Sequence, residues 1–309
     1  HTIARLAWYT PLITIPENDM RTHLAPILDH YYLSATHLNA FLDVTNGGPQ
    51  QFLINNLLRF PQAISPSAAY GSAVHRTLQR AHAHLASTGK RRPVEDLLQD
   101  FEKTLNEAPL SDKDMTLFQG RGVDYLQQFL DAKYESFSTN QQPELSFRHQ
   151  QVVLGDARLT GALDVVSIDT TAKTMDIIDY KTGKPALDWK GKTDWEKIKL
   201  HKYHQQLMFY HLLVTHSRDY HTLTPSRLAL QFIEPTPSGD ITSLDLHPEP
   251  EDLAAFSQLV QAIWKCIITL ELPDISSFST DYKGMLAFEE SLVNHDKSAP
   301  SVKSMGSTV

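Results

Sequence analysis

The stretch DIIDYKTGK, residues 176–184, constrains this chain most. Two isoleucines lead into Asp179, and Lys181 follows two residues later, before Thr-Gly. Read as a strand, the stretch turns Asp179 and Lys181 to one face, because side chains alternate along an extended backbone. A strand this apolar is buried, and burying a carboxylate or an ammonium is costly unless the charge is paired, bound to metal or used. The end of this strand therefore marks a site.

The preceding segment supplies its partner. ARLTGALDVVSID, from Ala157, is strand-like, and DTTAK, residues 169–173, reads as a hairpin turn. Antiparallel pairing about that turn brings Asp164 near Asp179, and a slip of one residue would separate them. Two neighbouring carboxylates repel, and a divalent cation relieves the repulsion. Hard oxygen ligands suit Mg²⁺ or Mn²⁺, which commonly combine one or two carboxylates with waters and phosphate. Lys181 is then placed to hold a water or to offset charge on a phosphate oxygen, which is metal-assisted phosphodiester hydrolysis in outline.

The rest of the chain is that of an ordinary soluble globular protein: 309 residues, 41% hydrophobic and 21% charged. No run reaches the length of a membrane span, and no secretory signal opens the chain. The single cysteine, Cys266, excludes an internal disulfide and any all-cysteine zinc or iron–sulfur site, and a cytoplasmic setting is expected. The chain begins at His1, so a piece of a longer protein is expected. Its net charge of −8 argues against a generally basic nucleic-acid binder. A local basic segment nevertheless follows the strand, with lysines at 181, 184, 190, 192, 197, 199 and 202. It reads as a loop to about residue 202, in which Lys184, Lys190 and Lys192 are candidate phosphate contacts. Trp189 and Trp195 either stack on unpaired bases or pack the loop down, and both readings stay open. The histidines at 201, 204, 211 and 216 specify no convergent zinc set.

Helices come first. Ser34 reads as the N-cap of ATHLNAFLDV, and QQFLINNLLRF starts another helix after the break TNGGP. A long helix is expected from about Ala69 to Ser87, with Val74, Leu78, Ala81 and Leu85 as its apolar stripe, and two more near 93–106 and 112–137. ELSFRHQQVVLG opens the strands. A helix through YHQQLMFYHLLVTH, two strands in SRLALQFIEP and DITSLDLHP, and the amphipathic EDLAAFSQLVQAIWKCIITL follow. This layout is α/β or α+β with a mostly non-local sheet. One domain is expected over residues 1–295, mostly helical over 33–140 and β-rich over 141–275, with a disordered tail at 296–309.

Four motifs occur in series: Gly-x-x-x-His ending at His75, Gly161-x-x-Asp164, Asp179-Tyr-Lys181-Thr-Gly, and Gln206-x-x-x-Tyr210, whose spacing puts both side chains on one helix face. In this order they resemble the PD-(D/E)XK nuclease superfamily in its RecB-like branch. LSATHLNAFL and LRFP further resemble nuclease domains at the C-terminal end of UvrD-like helicases and in AddB, and the likeness spans roughly residues 33–290. It implies a restriction-endonuclease-like mixed sheet flanked by helices, with a helical N-terminal segment and a helical insertion. It implies Mg²⁺ or Mn²⁺ held by Asp164, Asp179, His75 and the backbone carbonyl of Tyr180. Lys181 would serve the attacking water or the phosphate, and Gln206 and Tyr210 would position the DNA or its loop. Glu144 is the candidate for an acidic residue that some members carry on the preceding strand.

The implied activity is a deoxyribonuclease, an exonuclease on single-stranded DNA ends, working with a helicase domain in the same or a partner chain in repair or recombination. A catalytically silent scaffold that binds DNA or a helicase, and a site-specific endonuclease, are the alternatives. Many RecB-like relatives also bind an iron–sulfur cluster through four cysteines. LDVTNGGPQQF and SSFSTDYKGMLAFEE occupy those places here without cysteine, so no cluster is expected. The two segments should instead dock through Phe52, Phe278 and Leu286.

Overall fold

Ser34 takes an extended conformation and its hydroxyl accepts the His37 N–H, which opens a helix as its short polar side chain favours. The computed structural model describes residues 17–298, with side chains from Met20 to His295, so the expectations for the first sixteen residues and most of the tail lie outside the described residues. Helix α1 (Glu17–Asp29) precedes Ser34 and α2 (Ala35–Leu42) follows it. Gly47 and Gly48, both with positive φ, then reverse the chain, and Gly48 lies against Ile275. Helix α3 is short (Gly48–Phe52) and runs directly into a π turn over Leu53–Leu57, so the helix expected from Gln50 forms as far as Leu57 with a widened second half. Three longer helices follow: α4 (Pro66–Thr88), α5 (Val94–Asn106) and α6 (Asp112–Lys133). Gly122 of α6 sits under the Phe101 ring, which a Cβ there would overlap.

The strands are β1 (Gln141–Ser146), β2 (Val152–Leu154), β3 (Ala157–Leu159), β4 (Ala162–Asp169) and β5 (Thr174–Lys181). Helix α7 (Asp194–Thr215) leads to β6 (Thr224–Phe232) and β7 (Ser243–Leu246), and α8 (Pro250–Thr269) and α9 (Tyr282–Ser298) close the chain. The main sheet has the order β1-β4-β5-β6-β7. Only β5 and β6 pair in parallel, so a crossover is required between them, and α7 makes it. The segment read as one strand from Glu144 divides into β1 and β2, and β2 pairs with β3 in a separate hairpin. Two other readings change. Thr193 and Glu196 form a reciprocal capping box that starts α7 at Asp194, so the second half of the expected lysine loop is helical. Helix α9 was not foreseen.

Alternation along the strands gives the sheet two apolar faces. Val166, Met175 and Ile177 join the core formed with α2, α7, α8 and α9. Val165, Ile178 and Tyr180 point the other way, into the core of α4, α5 and α6. In that second core His82 stacks on Phe137 at 3.9 Å and meets the Tyr180 hydroxyl through Nε2 at 2.8 Å. Among the described residues no helix is long and apolar enough to cross a membrane.

The first and last segments meet in an aromatic cluster. Phe41 lies between Phe52 and Phe288, and Phe278 packs on Phe288. Beside them Asp43 is buried, accepting from Thr45, from Asn46 and, at 2.6 Å, from Lys202 of α7. Burial pushes the Asp43 carboxyl up, but Lys202, Thr45 and Asn46 outweigh it and hold it below the usual range. Leu286, expected in this docking, is 39% exposed; α9 turns Met285, Phe288 and Leu292 inward instead, at helical spacing.

Three stability predictions follow from these contacts. Lys202→Ala strands the Asp43 carboxylate and should destabilise by roughly 3 kcal/mol. Lys197→Ala, which breaks an exposed pair with Asp194, should change thermal unfolding by less than about 1 kcal/mol. Burial pushes the His82 pKa down from 6.5 to about 4, so the unfolded chain binds this proton more readily than the folded one. Its contribution is present above pH 6.5 and is lost as pH falls toward about 4, at about 1.4 kcal/mol per unit. Denaturant unfolding should lose stability across that window, and His82→Phe should flatten the loss.

Candidate functional site

The β4–β5 register pairs Val165 with Ile178 and Val166 with Ile177, and one further step sets Asp164 across from Asp179. The hairpin arithmetic of the sequence thus holds. The Asp164 Oδ2 accepts the Tyr180 backbone N–H at 2.8 Å and lies 3.2 Å from Nδ1 of His75, on α4. Gly71, one turn before His75, lets α4 pass over the end of β5; a Cβ there would press on Thr182. Gly161 has a similar part, since a Cβ would press on Leu213 of α7.

Asp179 is only 2% exposed. Its Oδ1 accepts from the Tyr210 hydroxyl at 2.9 Å and from Gln206 Nε2 at 3.1 Å. Its Oδ2 stands 2.7 Å from the Lys181 Nζ. Gln206 closes the network: its Oε1 accepts from Lys181 at 2.7 Å and its Nε2 donates to Tyr210 at 2.6 Å. The structure therefore brings His75, Asp164, Asp179, Lys181, Gln206 and Tyr210 together from α4, β4, β5 and α7. Tyr203, one turn before Gln206 on α7, lies under the Lys181 ammonium at 4.5 Å.

The electrostatics separate the two carboxylates. Burial pushes Asp164 up, but the hydrogen bond and charge of His75, with the Tyr180 N–H, hold it below the usual range. Burial pushes Asp179 up, and the Asp164 charge adds to this against the opposing Lys181 ammonium. Lys181 remains protonated, because Asp179 more than offsets the effect of burial. Burial also pulls His75 down, yet Asp164 raises it on balance.

A divalent cation fits this donor set. Asp179 Oδ2 is buried and faces the Lys181 ammonium alone, at 2.7 Å, which leaves it a lone pair for a cation. Asp164 opposite is ionised. Among the described residues no three His, Cys, Asp or Glu side chains form a metal cluster by themselves. Two carboxylates, completed by backbone, water or phosphate oxygen, suit Mg²⁺ or Mn²⁺ better than zinc. Glu144 flanks the pair: Pro143↔Val165 and Leu145↔Leu163 bracket it, so it stands across β1–β4 from Asp164. Its φ of 52° takes it out of regular strand geometry, and burial and then the Asp164 charge push its carboxyl up.

The candidate DNA contacts divide. Trp189 donates to the Asp245 carbonyl at 2.9 Å and packs edge-on against His204, so it pins its loop to β7. Trp195 is 65% exposed. Lys184, Lys190 and Lys192 are exposed and stand outside the carboxylate network. His201 pairs with Glu289 rather than with the other histidines. Residues the sequence reading missed include Tyr203 and the ion pair of Arg121 with buried Glu234, 2.6 Å, which ties α6 to the end of β6. The Thr193-x-x-Glu196 cap was the available signal for Tyr203; nothing in the sequence pointed to Arg121.

A family model of the PD-(D/E)XK nuclease superfamily matches residues 32–277, a span that contains every residue of this network. The chain belongs to that superfamily. Its five-stranded mixed sheet flanked by helices is the matching restriction-endonuclease-like arrangement. A search of curated proteins finds no match. Within this candidate site the His75 imidazole is the most direct reporter of the Asp164 charge. Titrated by NMR, it should show a pKa above 6.5 in the unaltered chain. In Asp164→Asn, where burial acts without the carboxylate, it should fall below that value.

Proposed function

We propose that this chain is a metal-dependent deoxyribonuclease that acts on single-stranded DNA ends, as the nuclease module of a helicase–nuclease or repair protein. The observation that carries this reading is the convergence of ionised Asp164, buried Asp179 and cationic Lys181 at the mouth of one sheet. A scaffold has no need to bury two carboxylates side by side. One nuclease unit over residues 1–295 is part of the proposal.

Asp164 and Asp179 would hold Mg²⁺ or Mn²⁺, with His75 and the Tyr180 carbonyl completing the set. When bound, the ion supplies Lewis acidity toward the phosphate and the attacking water. Lys181 then exchanges Asp179 for that water or for a phosphate oxygen, donating a proton in a hydrogen bond without losing its charge. Gln206, already bonded to both Lys181 and Asp179, keeps the ammonium oriented during this exchange. Tyr210 holds the Asp179 carboxylate in one rotamer. His75 orients Asp164 in the same way.

The test is cleavage of end-labelled single-stranded and duplex DNA with Mg²⁺, Mn²⁺ or EDTA. Cutting with either metal, none with EDTA, and a loss on the order of 10²–10³-fold in Lys181→Ala and Asp179→Asn are expected. Progressive shortening of the single strand marks the exonuclease, and discrete fragments the endonuclease. DNA binding without metal-dependent cutting would favour the silent scaffold.

A further inference from the structure

Helix α7 does more than deliver Gln206 and Tyr210. Trp195, Lys199 and Tyr203 lie at four-residue steps on the same helix and so share one face. The Lys199 Nζ is 5.3 Å from the Trp195 ring centroid and 5.6 Å from that of Tyr203, and Lys181 Nζ is 4.5 Å from Tyr203. Aromatic and cationic groups thus alternate from solvent into the carboxylate pair. Lys199 is held in place by a 2.9 Å hydrogen bond to the Lys184 carbonyl. At 1.5 Å per residue, Trp195 lies about 12 Å along α7 from Tyr203.

Trp195 has no structural reason to stand where it does. Trp189 and Trp264 pack against the core, whereas Trp195 leaves 65% of its surface to water, with a lysine under one side. A cation–π contact at an exposed position contributes only about 0.5–1 kcal/mol. That is less than the roughly 1.5–3 kcal/mol gained by burying a large apolar side chain. An open aromatic face beside a fixed ammonium matches a nucleotide, whose base stacks and whose phosphate is anionic. In a duplex the bases are stacked on one another and offer no face to this ring, so the arrangement favours an unpaired strand. The acidic chain as a whole repels DNA, which makes a localised cationic track the effective route of approach.

We propose that Trp195, Lys199 and Tyr203 form a nucleotide subsite, with one unpaired base on the Trp195 ring and its phosphate on Lys199, that restricts the site to single-stranded DNA. This rests on the nuclease reading above, and the readout is binding, so that the two can fail separately.

Tryptophan fluorescence and the anisotropy of labelled oligo-dT and of a blunt duplex are measured with Ca²⁺ in place of Mg²⁺. Oligo-dT should quench the fluorescence of the unaltered chain. Trp195→Ala should lose the quench, weaken oligo-dT binding on the order of tenfold and leave duplex binding alone, with an unchanged Tm. Trp195→Phe keeps a stacking face and should restore most of the affinity without the quench. Lys199→Ala should lower the slope of log affinity against log salt by about 0.7. Equal oligo-dT binding by Trp195→Ala, an equal loss on both DNAs, or no binding by the unaltered chain overturns the subsite. Cutting with Mg²⁺ that is indifferent to Trp195 leaves the nuclease standing without it; Trp195-dependent binding without cutting does the reverse.

Discussion

The Lys181–Asp179 ion pair is the contact around which the domain is organised. Two opposite charges removed from water gain from each other only if their remaining bonding capacity is met. Here Gln206 and Tyr210 meet it from α7, on the face of the sheet that Val166 and Ile177 make apolar. The parallel β5–β6 pair and its crossover helix are thus more than topology. They bring α7 across the strand end at which the charges sit. On the opposite side α4 reaches over the same end, which its Gly71 permits, and His75 engages Asp164.

Much of this was legible in the sequence because it rests on short-range arithmetic. The turn at 169–173 and a period of two fix Asp164 against Asp179, and a four-residue spacing fixes Gln206 against Tyr210. His75 was legible only through the likeness of its motif, since nothing local ties α4 to β4 across nearly ninety residues. The Ser34 cap of α2 and the longer helices α4, α5 and α6, with their apolar periods, also matched expectation.

The failures have physical causes. The start of α7 is rich in lysine and lacks an apolar stripe, so it read as loop; the Thr193–Glu196 cap fixes that start instead. The chain from Gln50 has the composition of a plain helix and forms one to Leu57, but its widening into a π turn at Leu53 is not announced by that composition. Leu286 looked like a core residue because it is apolar, and only the phase of α9 shows that Met285 and Phe288 take that role. Glu144, named through the likeness, does stand across from Asp164 in the β1–β4 register, but no residue pattern announces its positive φ.

The buried Asp43–Lys202 contact carries a further implication. It joins the segment after α2 to α7, close to the aromatic cluster of Phe41, Phe52 and Phe288. A clasp made of a carboxylate and an ammonium has no oxidation state and nothing for a chelator to extract. The link therefore weakens as acid protonates Asp43, whose carboxyl its partners hold below the usual range.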